Sequence, residues 1–182
     1  MKSSEKILSL YEHEVNVIVR GKAGAEVEFG NTLFLGEQHD GVILDWKLYE
    51  NPISDERSVR ESLDRMKESY DGFKPSSATT DRGCASEGNS LHLANEGIKD
   101  YMCPRGVDAL RARLGEEDFR EHQTRRGQTE GRIGILKNSF LGRPLRSKGF
   151  VHRELNVAWG VLAHNLWVLA RLPRANSLKA AA

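Results

Sequence analysis

Two cysteines, Cys84 and Cys103, are all that the 182-residue chain contains, and they lie nineteen positions apart. That spacing is no zinc signature, and without a second pair it is no disulfide framework. Both are expected as reduced thiols of a cytoplasmic protein. Cys84 has no His–Asn or His–Asp partner identifiable in the sequence that would make it a nucleophile. No secretory leader is expected, since residues 1–10 hold no apolar core of the required length. The most apolar segment, 155–172, carries Asn156, His164, Asn165 and Arg171. Those polar groups fit a buried or amphipathic helix better than a membrane span, so no membrane partner is expected. Charge of one sign is lacking in bulk. A formal net charge of +1 excludes a polycation that coats nucleic acid, so any polyanion site must come from local asymmetry. There is no phosphate loop: Arg20-Gly21-Lys22-Ala23 has Asn16 where the earlier glycine belongs and Ala23 where Ser or Thr would hold a metal. Gly131 and Gly134 follow no strand and make no dinucleotide fingerprint. No internal repeat is visible.

What is present suits one domain with a real core, 38% hydrophobic and 29% charged. Residues 1–14 form a polar leading segment. A β-rich run at 15–19 stops at Gly21 and Gly24. Residues 26–35 alternate, and Gln38-His39-Asp40-Gly41 is a turn in which Asp-Gly favours a hairpin; His39 and Asp40 read as turn residues, not metal ligands. The return strand, 42–49, places Leu44, Trp46 and Leu48 on one face, so the first fifty residues predict an antiparallel meander. Ser54 then caps a helix with Asp55 and Glu56 in its first turn and Val59, Leu63, Met66 and Tyr70 at helical spacing. A short strand from Ser77 runs into Asp81. A helix over 87–96 stops at Gly97, and Tyr101-Met102-Cys103 is a brief strand closed by Pro104. From Val107 the pattern is helical, with breaks expected at Gly115 and Gly127. A last helix spans 153–172, and 173–182 is expected to be a disordered tail. This order predicts an α/β domain over 15–172, built on a mixed sheet with flanking helices.

Chemistry concentrates in 124–150. Between Arg125 and Arg153 stand eight basic residues (Arg125, Arg126, Arg132, Lys137, Arg143, Arg146, Lys148 and Arg153) and a single acid, Glu130. The local charge is therefore +7 in a chain whose total is +1. A lone carboxylate in a basic field suits a protein that holds a metal ion against a phosphate backbone. Asp81 is the other carboxylate of interest, placed where a strand ends and Arg82-Gly83 opens a loop. Two-metal phosphoryl transfer needs hard oxygen ligands brought together from separate elements, and Asp81 and Glu130 would supply part of such a cage.

The segments Gly21 to Asn31 (GKAGAEVEFGN), Thr80 to Asn89 (TDRGCASEGN) and Arg125 to Phe150 (RRGQTEGRIGILKNSFLGRPLRSKGF) resemble the C-terminal part of bacterial insertion-sequence transposases of the DDE class. The resemblance runs from about Lys6 to Leu172. It implies a ribonuclease H-like fold, DNA transposition, two Mg²⁺ (or Mn²⁺) ions in an intact family member, and a triad of two Asp and one Glu that nicks DNA and joins ends. Asp81 matches the second Asp and Glu130 the Glu, as catalytic and metal-binding residues. Lys22, Arg82, Arg125, Arg126, Arg132, Lys137, Arg143, Arg146 and Lys148 are then the expected nucleic-acid contacts. Where the family has an aromatic after D-x-G this chain has Cys84. The first Asp matches no position here and would precede Met1, so the expected sheet lacks the strand that bears it, and the chain alone is expected not to cleave DNA. Expected partners are double-stranded element and target DNA, and a full-length transposase or a second copy of the chain. Two other readings follow from the same residues. One is a non-catalytic DNA-binding remnant that regulates a full-length relative; the other is a metal-dependent nuclease using Asp45, Asp81 and Glu130.

Overall fold

A computed structural model describes residues 15–22 and 25–172, with side chains for all of these except 19–28. The leading segment 1–14 and the tail 173–182 lie outside the described residues. The chain folds as a mixed α/β structure of six strands and five α-helices among the described residues. No described helix is long and apolar enough to cross a membrane.

The strands pair in twos and form no single mixed sheet. Strands β1 (Asn16–Lys22) and β2 (Ala25–Gly30) are antiparallel, as are β3 (Thr32–Glu37) and β4 (Ile43–Tyr49), while β5 (Ser77–Ala78) and β6 (Lys99–Asp100) run parallel. The expected meander is thus two separate hairpins, because β2 gains no ladder to β3. The turn between β3 and β4 is the one read from Asp40-Gly41. Gly41 takes φ +95, and Asp40 Oδ1 accepts the Val42 N–H at 3.0 Å. A side-chain oxygen closing its own turn while glycine supplies the positive φ is the physical content of that dipeptide.

Alternation along β4 splits its partners between two faces. Asp45 and Tyr49 reach α1 (Asp55–Ser69) through Arg65 and Glu61, whereas Trp46 and Leu48 join Leu136, Val157 and Val161. Helix α1 starts where Ser54 Oγ accepts the Arg57 N–H, with Asp55 and Glu56 in its first turn against the positive end of the dipole. Its Val59 and Leu63 meet Cys84, Leu93, Ile98 and Met102 in one core cluster. Each such side chain contributes on the order of 1.5–3 kcal/mol by leaving water. Helix α2 (Glu87–Asn95), capped by Ser86, stops at Gly97 with φ +64 and sends the chain into β6. The β5–β6 ladder continues past its two-residue strands, with Tyr101 N bonding Ala78 O and Cys103 N bonding Thr80 O. Asp81 therefore sits at the C-terminal end of a parallel pair.

Helix α3 (Val107–Arg113) ends at Gly115 as expected, and α4 (Glu117–Ile135) follows. Here the structure departs from the sequence reading: α4 is unbroken through Gly127, Gly131 and Gly134. Phe119, fully buried, anchors its first turn, and side chains on two of its faces are tied to different parts of the molecule. Tertiary anchoring outweighs a glycine cost of about 1 kcal/mol each. A π-helical turn, Leu136–Leu141, leads through 142–149 to α5 (Phe150–Leu169).

Candidate metal and nucleic-acid site

Helix α4 positions the site, because it is held on both sides. On one side, Arg125, Thr129 and Arg132 lie at i, i+4 and i+7 and close on the β3–β4 turn. Glu37, only 11% exposed, accepts from Thr129 Oγ1 at 2.6 Å and from Arg132 Nη1 at 3.2 Å. Arg125 donates to the carbonyls of Gln38 and His39 and stands 3.9 Å from Glu37. Gly41 permits this approach, since a Cβ there would lie 2.8 Å from the Arg132 guanidinium. Burial, with the neighbouring Arg132 charge, pushes the Arg125 guanidinium below its ordinary range.

On the other side, α4 meets the end of the parallel pair. Gln123 Nε2 donates to Tyr101 O at 2.7 Å, and His122 stacks on Tyr101 with ring centroids 4.0 Å apart. One helical turn on, Arg126 Nη1 donates to Asp81 Oδ1 and, at 2.9 Å, to Glu130 Oε1. Asp81 and Glu130 are 49 residues apart in sequence and share one guanidinium. Both carboxylates stay open to water, 69% and 66% exposed, while Arg126 is 31% exposed. Beside them is a cleft of about 420 Å³ lined by Asp55, Asp81, Arg82, Gly83, Cys103 and Arg126. Arg105 fixes its floor by donating to the carbonyls of Arg82 and Gly83, and to Glu56 at 2.6 Å.

Asp55 is the lining residue that sequence reasoning assigned only to a helix's first turn. A Cβ on Gly83 would collide with its Oδ2, so glycine is what lets α1 and the 82–84 turn come together. No local pattern distinguishes Asp55 from any other N-terminal helix acid. Asp45, in contrast, is not in the cleft. It is buried on β4 and gripped through both oxygens by Arg65, at 2.9 and 2.7 Å. Cys84 is also buried, and its thiol is pushed up to about 11, chiefly by burial. Among the described residues no group of three or more His, Cys, Asp or Glu is gathered as a metal site.

The basic field divides into two sets. Arg125, Arg126 and Arg132 hold carboxylates or turn carbonyls of the chain itself, Arg82 Nε lies 3.4 Å from Cys103 Sγ, and Arg153 is buried in α5. Lys137, Arg143, Arg146 and Lys148 are exposed and make no ion pair with any described residue. The side chain of Lys22, on β1, lies outside the described residues. Comparisons with protein-family models, with curated proteins and with solved structures gave no match.

Proposed function

We propose that the chain is a portion of a DDE-class transposase of ribonuclease H-like fold, which binds element DNA and supplies two of the three metal-binding carboxylates for strand cleavage and transfer. The observation that carries this reading is the convergence of Asp81, at the end of a parallel strand pair, with Glu130, on a separate helix, upon a single cation. Two exposed hard-oxygen ligands beside a cleft are a fitting donor set for Mg²⁺, which is commonly held by one or two carboxylates together with substrate phosphates. Asp81 and Glu130 would hold the ion, and when bound it supplies charge stabilisation to a phosphoryl group. Arg126 keeps the two carboxylates together and neutralises their repulsion. Arg82 and Arg126 line the cleft as cations for a phosphate, and Lys137, Arg143, Arg146 and Lys148 offer a wider electrostatic footprint on the duplex.

The sheet edges support the same reading. Among the described residues, hairpin β3–β4 and pair β5–β6 each consist of strands with a single partner. That is the arrangement expected of a ribonuclease H-like sheet whose first Asp-bearing strand is not among these six. A second reading, a DNA-binding remnant without cleavage chemistry, is favoured by the count of two carboxylates on Arg126 where the family uses three. Duplex binding in EDTA, Mg²⁺ and Mn²⁺ tests the proposal. Divalent ions should tighten binding by wild type and have no such effect on Asp81→Asn or Glu130→Gln. Equal affinity in all three buffers for wild type would remove the metal-assisted reading and leave the remnant.

A further inference from the structure

Helix α5 buries one face through Val157, Val161, His164 and Val168, and its opposite face is apolar as well. Val151, Leu155, Trp159, Leu162, Leu166 and Leu169 are between 47% and 72% exposed. At 100° per residue the six fall within a stripe only about 80° wide, narrower than the core-facing stripe of an ordinary surface helix. From Leu155 to Ala170 the helix carries no Lys, Arg, Asp or Glu. A solvated face would be expected to carry charge, and a contiguous apolar patch of this size marks an interaction surface.

The spacing suits a second helix as the occupant. Leu155, Trp159, Leu162, Leu166 and Leu169 follow one another at intervals of four, three, four and three residues, the repeat of a coiled-coil seam. The pattern also reads almost the same in reverse. About a point between Gly160 and Val161, Trp159 mirrors Leu162, Leu155 mirrors Leu166, and Val151 falls one position from the mirror of Leu169. A surface that repeats under a two-fold rotation is complementary to itself, which is the condition for an isologous dimer. We infer that α5 pairs with α5 of a second copy of this chain, antiparallel, with Leu155 against the partner's Leu166 and Trp159 against the partner's Leu162. The six side chains present on the order of 600 Å² per copy, so the pair would bury on the order of 1,200 Å², enough for a specific interface. The inference uses none of the carboxylates or cations of the proposed DNA site.

Sedimentation equilibrium of the full chain from low to high micromolar concentration tests it. Wild type should sediment at twice the 20.4 kDa chain mass. Leu155→Glu buries a carboxylate against a leucine and should weaken pairing by about a hundredfold or more. The double variant Leu155→Glu/Leu166→Lys places each Glu opposite a partner's Lys and should recover dimers to within about tenfold of wild type. Far-UV circular dichroism confirms that each variant keeps its helices. A wild type that stays monomeric at high micromolar concentration overturns the inference and leaves the stripe to another partner. A double variant that stays monomeric although folded overturns the antiparallel pairing, since parallel helices would set Glu against Glu.

Discussion

Replacing Arg126 by glutamine should make the protein bind divalent cations more tightly. In the wild type one Arg126 nitrogen satisfies both Asp81 and Glu130, so an ion taking those carboxylates has to displace the guanidinium first. Both carboxylates are about two-thirds exposed, and solvent screens the pairs. Each is worth about 0.2–1 kcal/mol, and the two together about 1 kcal/mol. Since 1.4 kcal/mol is a factor of ten, Arg126→Gln should raise Mn²⁺ affinity by about fivefold. The same loss should lower the melting temperature by about 2–4 °C, because it removes a tie between α4 and the end of β5. Free Mn²⁺ measured by electron paramagnetic resonance during titration, at low ionic strength, reads the first effect directly. Asp81→Asn in the same background should abolish the gain. An Arg126→Gln protein that binds Mn²⁺ no better than wild type would refute the idea that the guanidinium competes with a metal for these two carboxylates.

With Lys137, Arg143, Arg146 and Lys148 neutralising four phosphates, log K for duplex DNA should fall against log salt with a slope of about −3.6, and alanine at all four should flatten it towards zero. Arg125→Ala should leave that slope unchanged and lower the melting temperature, as its guanidinium is held by the β3–β4 turn; a flattened slope would show it on the DNA. Nothing stands within 4 Å of a Cβ built on Gly127 or Gly131, so alanine at either should stabilise by about 0.5–1 kcal/mol in urea unfolding. A loss of stability there would mean that α4 needs its glycines. The Cys84 thiol, buried and raised to about 11, is only about one part in a thousand thiolate at pH 8. Iodoacetamide should accordingly label it at least about a hundredfold more slowly in native than in urea-unfolded protein, and equal rates would contradict its packing against α1.

The features legible in the sequence are those set by neighbouring residues. Asp40-Gly41 makes its turn, Ser54 caps its helix, Gly97 and Gly115 stop theirs, and of the three residues that alternation puts on one face Trp46 and Leu48 join the same core cluster. What escaped depends on partners far away in the chain. Glu37 and Arg132 are separated by 95 residues, and nothing near either announces that a largely buried glutamate will absorb the middle of the basic field. A run of cations looks the same in sequence whether it faces a phosphate or its own carboxylates. The helix through Gly127 is hidden for a related reason: local propensity argues for a break, while anchors on both sides of it, at Arg125 before and at Thr129 and Arg132 after, hold it together. Pairing of strands in twos was equally invisible, because alternation fixes which face is buried and says nothing about which edge finds a partner.

On the proposed reading, whether the chain cuts DNA by itself would turn on a third carboxylate. Asp81 and Glu130 alone would hold a Mg²⁺ ion weakly, since this ion sheds its waters only for well-placed anions, and small misplacements are costly in phosphoryl transfer. Asp45 is the carboxylate that a self-sufficient nuclease would need from the first fifty residues, and Arg65 already occupies both of its oxygens inside the fold. Freeing it would cost Arg65 its bidentate partner and leave it only Glu61, at 3.9 Å, and breaking buried pairs of this kind costs up to about 3–5 kcal/mol. Asp55 lines the cleft, but a further carboxylate beside Asp81 adds repulsion that Arg82 and Arg126 must offset before it adds a ligand. The expected outcome is therefore no cleavage of supercoiled or linear DNA by the 182-residue chain in Mg²⁺ or Mn²⁺. Cleavage that disappears in Asp81→Asn and Asp45→Asn, with both variants still melting cooperatively, would reverse this conclusion and make the chain a complete metal-dependent nuclease. Cleavage that survives Asp45→Asn and disappears in Asp55→Asn would instead place the third ligand on α1, where the closeness of Asp55 to Gly83 already brings it to the edge of the cleft.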